Sequence, residues 1–271
     1  MSAHAAMRPF TVHDLAKFKA DGHKFAMLTA YDYFSAQILD EAGIPLILVG
    51  DSLGMVMLGY DSTVPVTMDE MLHHTRAVAR GAQRALVVGD MPFGSYQDGP
   101  SQALHNAIRF MKEAGAQAVK LEGGGAMADV TRHLVNAGIP AMGHLGLTPQ
   151  SVNTLGGYKV QGRTEEAVER MIADALALQD AGIFALVLEA VPSEVGRRVT
   201  QALAVPTIGI GAGADTDGQV LVWHDMLGLS SGHLPRFVKQ YATLRSEVTS
   251  AVKAFASEVG DGVFPEREHQ Y

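Results

Sequence analysis

A chain of 271 residues with 47% hydrophobic and 18% charged residues has ample apolar material for a large core, and its length suits one α/β barrel of about 250 residues. A net charge of −8 offers no basic face for nucleic acid, and the absence of cysteine excludes disulfides, thiolate metal sites and cysteine nucleophiles. No run approaches the ~18 apolar residues that span a membrane, and the start MSAHAAMRPF lacks the apolar core of a secretory signal, so a cytoplasmic enzyme without a membrane partner is expected.

Along the chain, eight short, evenly apolar runs are expected as buried strands: Phe25–Ala30, Leu46–Gly50, Leu86–Gly89, Ala118–Glu122, Pro140–His144, Ala185–Glu189, Pro206–Ile210 and Val220–His224. Helical patterns separate most of them, at Ser35–Ala42, Thr67–Ala82, Ser101–Ala114, Ala128–Ala137, Glu165–Ala181 and Glu194–Leu203. The interval Gly211–Gln219 is too short for a normal helix, which leaves the bounds of the eighth strand poorly defined. One phrase recurs as Glu41-Ala-Gly-Ile-Pro, Glu113-Ala-Gly-Ala-Gln, Asn136-Ala-Gly-Ile-Pro and Asp180-Ala-Gly-Ile-Phe. Its glycines, Gly43, Gly115, Gly138 and Gly182, are expected to end helices in the left-handed conformation, each feeding a strand.

Alternation of strand and helix predicts a parallel sheet covered by helices, and eight such units predict a closed (β/α)8 TIM barrel. From Pro235 to Val259, an amphipathic pattern through Phe237, Tyr241, Leu244, Val248, Val252 and Phe255 reads as one long helix. It would be either the last barrel helix or a face that packs on another subunit. No linker divides the chain, so residues 1–271 are expected as a single barrel domain with a C-terminal helical extension.

In such barrels the chemistry sits at the C-terminal ends of the strands. There the second expected strand leads into Asp51-Ser52, the third into Asp90, and the fourth ends in Lys120-Leu121-Glu122. The fifth ends in His144 and the sixth in Glu189. Four carboxylates converging on one mouth repel one another unless some are protonated or a cation offsets them. A hard divalent ion such as Mg²⁺ needs one or two carboxylates besides water, which suits Asp51 and Asp90; Glu122 would reach it directly or through water. His73 and His74 are adjacent on an expected helix, point apart, and are read as surface residues rather than a zinc site.

Several of these segments also resemble one family. Val49-Gly50-Asp51-Ser52-Leu53-Gly54-Met55, Gly89-Asp90-Met91-Pro92-Phe93, Val119-Lys120-Leu121-Glu122-Gly123-Gly124 and Gly143-His144-Leu145-Gly146-Leu147-Thr148-Pro149-Gln150 are similar to the ketopantoate hydroxymethyltransferases. So are Leu188-Glu189-Ala190-Val191-Pro192, Gly209-Ile210-Gly211-Ala212-Gly213 and Asp217–Val222, in the same order from Tyr31 to Asp225. The resemblance implies a barrel like those of phosphoenolpyruvate mutase and isocitrate lyase. It implies transfer of a hydroxymethyl group from 5,10-methylenetetrahydrofolate to the 2-keto acid 3-methyl-2-oxobutanoate, giving 2-dehydropantoate for pantothenate biosynthesis. It further implies one Mg²⁺ per subunit and a large homo-oligomer, commonly a decamer. Matched position by position, it places the metal on Asp51, Asp90 and Glu122, the keto acid among Asp51, Ser52, Asp90 and Lys120, and the general base at Glu189.

The chemistry is consistent with that division. A base held apart from the ion stays available to take the proton from C3, and Lys120 supplies a fixed cation for the substrate carboxylate. Two readings stay open for Lys120, which either contacts substrate or pairs with Glu122, and two for His144, which either contacts substrate or lies satisfied beneath a loop. The glycines Gly209, Gly211 and Gly213 follow the seventh strand, where a dinucleotide fingerprint does not belong. The segment 146–163 is expected either as a lid or as a static loop against a neighbouring subunit. Rival functions are a related barrel that breaks a C–C or P–C bond in another 2-keto acid, and a non-catalytic metabolite-binding barrel.

Overall fold

The computed structural model describes residues 8–232 and 234–271. They divide into two compact units that meet in sequence between Val222 and Trp223.

The first unit is a closed barrel of eight parallel strands in sequential order. Helix α1 (Val12–Ala20) precedes β1 (Phe25–Thr29); α2 (Tyr33–Glu41) leads to β2 (Leu46–Val49), and a single turn, α3 (Leu53–Val56), follows it. Then come α4 (Met68–Gly81), β3 (Leu86–Asp90), α5 (Pro100–Arg109) with a π-helical extension at Phe110–Ala114, β4 (Ala118–Glu122) and α6 (Ala128–Asn136). The series ends with β5 (Ala141–Gly146), α7 (Val152–Leu155), α8 (Glu165–Asp180), β6 (Ala185–Glu189), α9 (Ser193–Ala202), β7 (Thr207–Ile210) and β8 (Gly218–Leu221). The six expected helices form within a residue or two of their bounds. Gly43, Gly115, Gly138 and Gly182 all have φ between +75° and +98°, as helix stops require.

Period-two alternation sorts each strand into an inner and an outer face. Met27, Leu46, Leu48, Leu86, Val88, Ala118, Met142, Ala185, Val187, Ile208 and Val220 fill the barrel together. Helix α1 joins this core through the fully buried Leu15, with Phe10 and Phe18 packed alongside. Outside β5 and β6, Leu145, Leu186 and Leu188 meet Val168, Met171, Leu178, Val195 and Val199 of α8 and α9.

Two expected boundaries are corrected. The eighth strand is Gly218–Leu221 rather than Val220–His224, because it takes its register from β1, with Phe25 opposite Gly218 and Leu28 opposite Leu221. His224 lies instead in α10 (Trp223–Met226) of the second unit. The C-terminal helix, α11, is Leu244–Gly260 and does not begin at Pro235. Backbone donors before it and at its first residue turn elsewhere: Tyr241 N–H bonds the Met226 carbonyl at 2.8 Å and Leu244 N–H the Leu227 carbonyl at 3.0 Å. No residue of α11 is buried, and Val248, Val252, Phe255 and Val259 are exposed. No helix among the described residues is long and apolar enough to cross a membrane.

Candidate active site

The site follows from the strand phase. Leu86 and Val88 point inward, so Asp90 does too. By the same count Ala118 puts Lys120 and Glu122 inside, Met142 puts His144 inside, and Ala185 and Val187 put Glu189 inside. These polar side chains continue the apolar core toward the C-terminal mouth. Asp51 falls one residue past the inward phase of Leu46, Leu48 and Gly50, and the turn into α3 brings it to the cluster, where its N–H donates to Asp90 Oδ2 at 3.3 Å. A Cβ on Gly50 would lie 2.8 Å from Ser52 Oγ and push that hydroxyl aside.

Six of the residues expected at the site, Asp51, Asp90, Lys120, Glu122, His144 and Glu189, meet in a connected set, and Ser52 follows Asp51 in the chain. Lys120 Nζ lies 2.8 Å from Asp90 Oδ1, 3.9 Å from Glu122 Oε1 and 3.2 Å from His144 Nδ1. His144 bridges two carboxylates, with Nδ1 3.3 Å from Glu122 Oε1 and Nε2 3.3 Å from Glu189 Oε2. Ser52 Oγ is 2.9 Å from the hydroxyl of buried Tyr31. Asp51, Asp90, Lys120, Glu122 and His144 are each at most 5% exposed, while Glu189 is half-buried. Lys120 does pair with carboxylates, but the nearer of them is Asp90, not Glu122.

Burial at this depth disfavours every isolated charge, so the neighbours decide which ones persist. Burial, reinforced by Asp90 and Glu122, raises the pKa of Asp51 well above the usual carboxylate range. Burial also raises Asp90, against the pull of Lys120. For Glu122 burial works upward, but the hydrogen bond from His144 and the charges of His144 and Lys120 prevail and its pKa falls. Lys120 is kept cationic, because attraction to Asp90, Glu122 and Asp51 outweighs burial. Burial and Lys120 oppose the imidazolium of His144, yet hydrogen bonds to Glu122 and Glu189 raise it to about 9.

A hard cation fits this donor set. Glu122 Oε1 and Asp90 Oδ1 are buried oxygens that face nitrogens, His144 Nδ1 at 3.3 Å and Lys120 Nζ at 2.8 Å, and burial beside two further carboxylates raises the pKa of Asp51, a load that a cation would relieve. Among the described residues no three His, Asp or Glu side chains close into a ready-made cage. Lys120 stands between Asp90 and Glu122, so an ion here would rely on one or two carboxylates, with water and substrate completing its shell.

Three supporting residues lie outside the expected set. Gln150 and Tyr96, both buried, link Asp51 to Glu122, and Tyr31 holds Ser52. His74 is corrected from a surface residue: it is half-buried with Nδ1 2.6 Å from the Tyr31 carbonyl oxygen, whereas His73 is exposed. Ala190, directly after Glu189, has φ +47°, a left-handed conformation uncommon outside glycine. The 146–163 segment is pinned at both ends, by Leu147 N–H on the Glu189 carbonyl (2.8 Å) and Gln161 N–H on the Ala190 carbonyl (2.9 Å). Between the pins, Tyr158, Lys159 and Val160 are exposed. Gly213, after β7, serves packing, since a Cβ on it would strike Ser193 at 2.6 Å.

The fold is a closed (β/α)8 barrel, like those of solved members of the phosphoenolpyruvate mutase/isocitrate lyase superfamily. A solved 2,3-dimethylmalate lyase of that superfamily overlays with a TM-score of 0.62 at 17% identity, covering 98% of this chain and 90% of that one. A phosphonopyruvate hydrolase overlays at 0.62 and 13% identity, over 96% and 90%. Within that fold the chain belongs to the ketopantoate hydroxymethyltransferase family, whose model matches residues 9–267. A relative from Thermobifida fusca, named 3-methyl-2-oxobutanoate hydroxymethyltransferase, is 59% identical over 267 residues, or 98% of this chain and 95% of its own length. One of the same name from Carboxydothermus hydrogenoformans is 58% identical, over 96% and 95%.

Proposed function

We propose that this protein transfers a hydroxymethyl group from 5,10-methylenetetrahydrofolate to 3-methyl-2-oxobutanoate, giving 2-dehydropantoate, as a Mg²⁺-dependent step of pantothenate biosynthesis. The observation that carries this reading is the separation of Glu189 from the Asp51–Asp90 pair, with His144 and Lys120 between them. Full-length likeness to relatives bearing the transferase name supports the same substrate.

Asp51 and Asp90 would hold the ion, with Glu122 as a direct or water-linked ligand. Bound there, Mg²⁺ supplies Lewis acidity toward the oxygens of a 2-keto acid. Lys120, a permanent cation in a dry site, attracts the substrate carboxylate and gives it one orientation. Ser52, steadied by Tyr31, offers a neutral hydrogen bond beside it.

Glu189 takes the proton from C3, and the C–H electron pair moves into the C2–C3 bond as the keto oxygen gains charge. His144 holds Glu189 from the opposite side and orients its free oxygen. C3 then attacks the one-carbon unit. Both C–N bonds to the folate's methylene carbon break, one replaced by the new bond to C3 and the other by a bond to oxygen from water. The proton from C3 and one proton of the water end on the two folate nitrogens. The 146–163 segment is proposed as a cover over the mouth, its exposed middle free to move between the pinned ends. The acceptor site would be repeated in each subunit of a homo-oligomer.

Product analysis tests this reading. Incubation with keto acid, methylene folate and Mg²⁺ is expected to yield 2-dehydropantoate with stoichiometric tetrahydrofolate. Turnover of phosphonopyruvate or 2,3-dimethylmalate without folate would instead identify a lyase or hydrolase.

A further inference from the structure

We infer that Gln150 and Tyr96 form a positioning pair that fixes which oxygens of Asp51 and Glu122 remain open to the cation. This rests on the proposal that those carboxylates hold a divalent ion.

The hydrogen-bond directions leave little freedom. Gln150 Nε2 donates to Asp51 Oδ2 and to the Met91 carbonyl, both at 2.9 Å, so this end of the amide must be the NH₂. Its Oε1 accepts from the Tyr96 hydroxyl at 2.6 Å. That hydroxyl in turn accepts from Glu122 N–H at 3.1 Å, and Gln150 N–H donates to Glu122 Oε2 at 3.0 Å. Gln150 and Tyr96 are 4% and 1% exposed, so water does not compete.

The consequence is selective occupation. One oxygen of each carboxylate, Asp51 Oδ2 and Glu122 Oε2, is spent on Gln150. Glu122 is left Oε1, which faces His144 Nδ1 at 3.3 Å and Lys120 Nζ at 3.9 Å, and Asp51 is left Oδ1. Gln150 also lies on the β5 loop that begins beside Glu189, so the same segment carries metal-side order toward the base. Groups that orient ligating carboxylates typically change metal affinity by about 10- to 100-fold when removed.

Mn²⁺ alone is the probe, followed by the electron paramagnetic resonance of the free ion during titration of wild type, Gln150→Met and Tyr96→Phe. Methionine keeps length and volume while removing the amide. The expected result is an Mn²⁺ Kd raised about 10- to 100-fold in Gln150→Met and raised less in Tyr96→Phe. In C3 exchange with keto acid, kcat should return at saturating Mn²⁺, marking a loss of metal placement rather than of the base. An unchanged Kd in Gln150→Met, with wild type binding Mn²⁺, overturns the inference but not the metal reading. No binding by wild type overturns both. If Gln150→Met does not fold, Tyr96→Phe decides by the same shift, and an unchanged Kd there counts against the pair. Tight, Gln150-dependent Mn²⁺ binding without C3 exchange would keep the inference and discard the reaction.

Discussion

Lys120 and Asp90 are register partners on neighbouring strands, and their side chains meet at 2.8 Å in a site where neither is more than 3% exposed. Removing one member of such a pair strands the other without solvent. Lys120→Met is therefore expected to cost about 3–5 kcal/mol at neutral pH, measured by urea unfolding. The sign with pH follows from Asp90, whose folded pKa is already raised and would rise further. A carboxylate with a raised folded pKa weakens the fold above its unfolded value and ceases to do so once protonated. The deficit of Lys120→Met should thus shrink as pH falls through the acid range. A pH-independent deficit would point to lost packing instead.

Asp51 should behave in the opposite way. Its folded pKa lies well above the unfolded value, so at pH above that unfolded value the group costs the metal-free protein stability. Asp51→Asn is expected to raise the melting temperature of metal-free protein. It should also abolish the gain that Mg²⁺ gives wild type, a gain of about 2.7 kcal/mol at a hundred times Kd. Differential scanning calorimetry with and without a chelator reads both effects.

Gly146 tests the placement of Glu189. It sits opposite Glu189 in register with φ +91°, and a Cβ would lie 2.2 Å from the Glu189 carbonyl oxygen. Gly146→Ala must displace that strand end, since backbone cannot yield as a flexible side chain does. Its kcat for C3 exchange should fall while the Mn²⁺ Kd holds. An Mn²⁺ Kd that shifts as far as kcat would show that the base and the metal side are not independent.

Leu15 supplies the contrasting case. It is fully buried in the barrel core from α1, away from the carboxylates. Leu15→Ala should lower unfolding free energy by about 2–5 kcal/mol, with exchange kinetics unchanged wherever the variant remains folded. Altered kinetics at constant folded fraction would tie α1 to the site.

The barrel and most of its mouth were legible because strand phase is local: Val88 inward implies Asp90 inward, and Ala185 implies Glu189. Gln150 and Tyr96 had no such signature, since the bond between them joins residues 54 apart in the chain. Gln150 stood within a family-like segment, yet nothing in its neighbours says that it reaches Asp51. Helix α1 carries a capping box, Thr11 with Asp14, but little other signature in the sequence. Its apolar residues are too few to make a clear stripe. The apolar spacing through Phe237 and Tyr241 continued into α11 and concealed a stretch whose amides bond to the α10 turn.

The division of labour at the mouth comes down to whether Glu189 removes the C3 proton. Deuterium exchange at C3 of 3-methyl-2-oxobutanoate, in D₂O with Mg²⁺ and no folate, measures that step apart from transfer. Exchange in wild type and its loss in Glu189→Gln, with Mn²⁺ affinity retained, is the expected result. Undiminished exchange in Glu189→Gln would contradict the account.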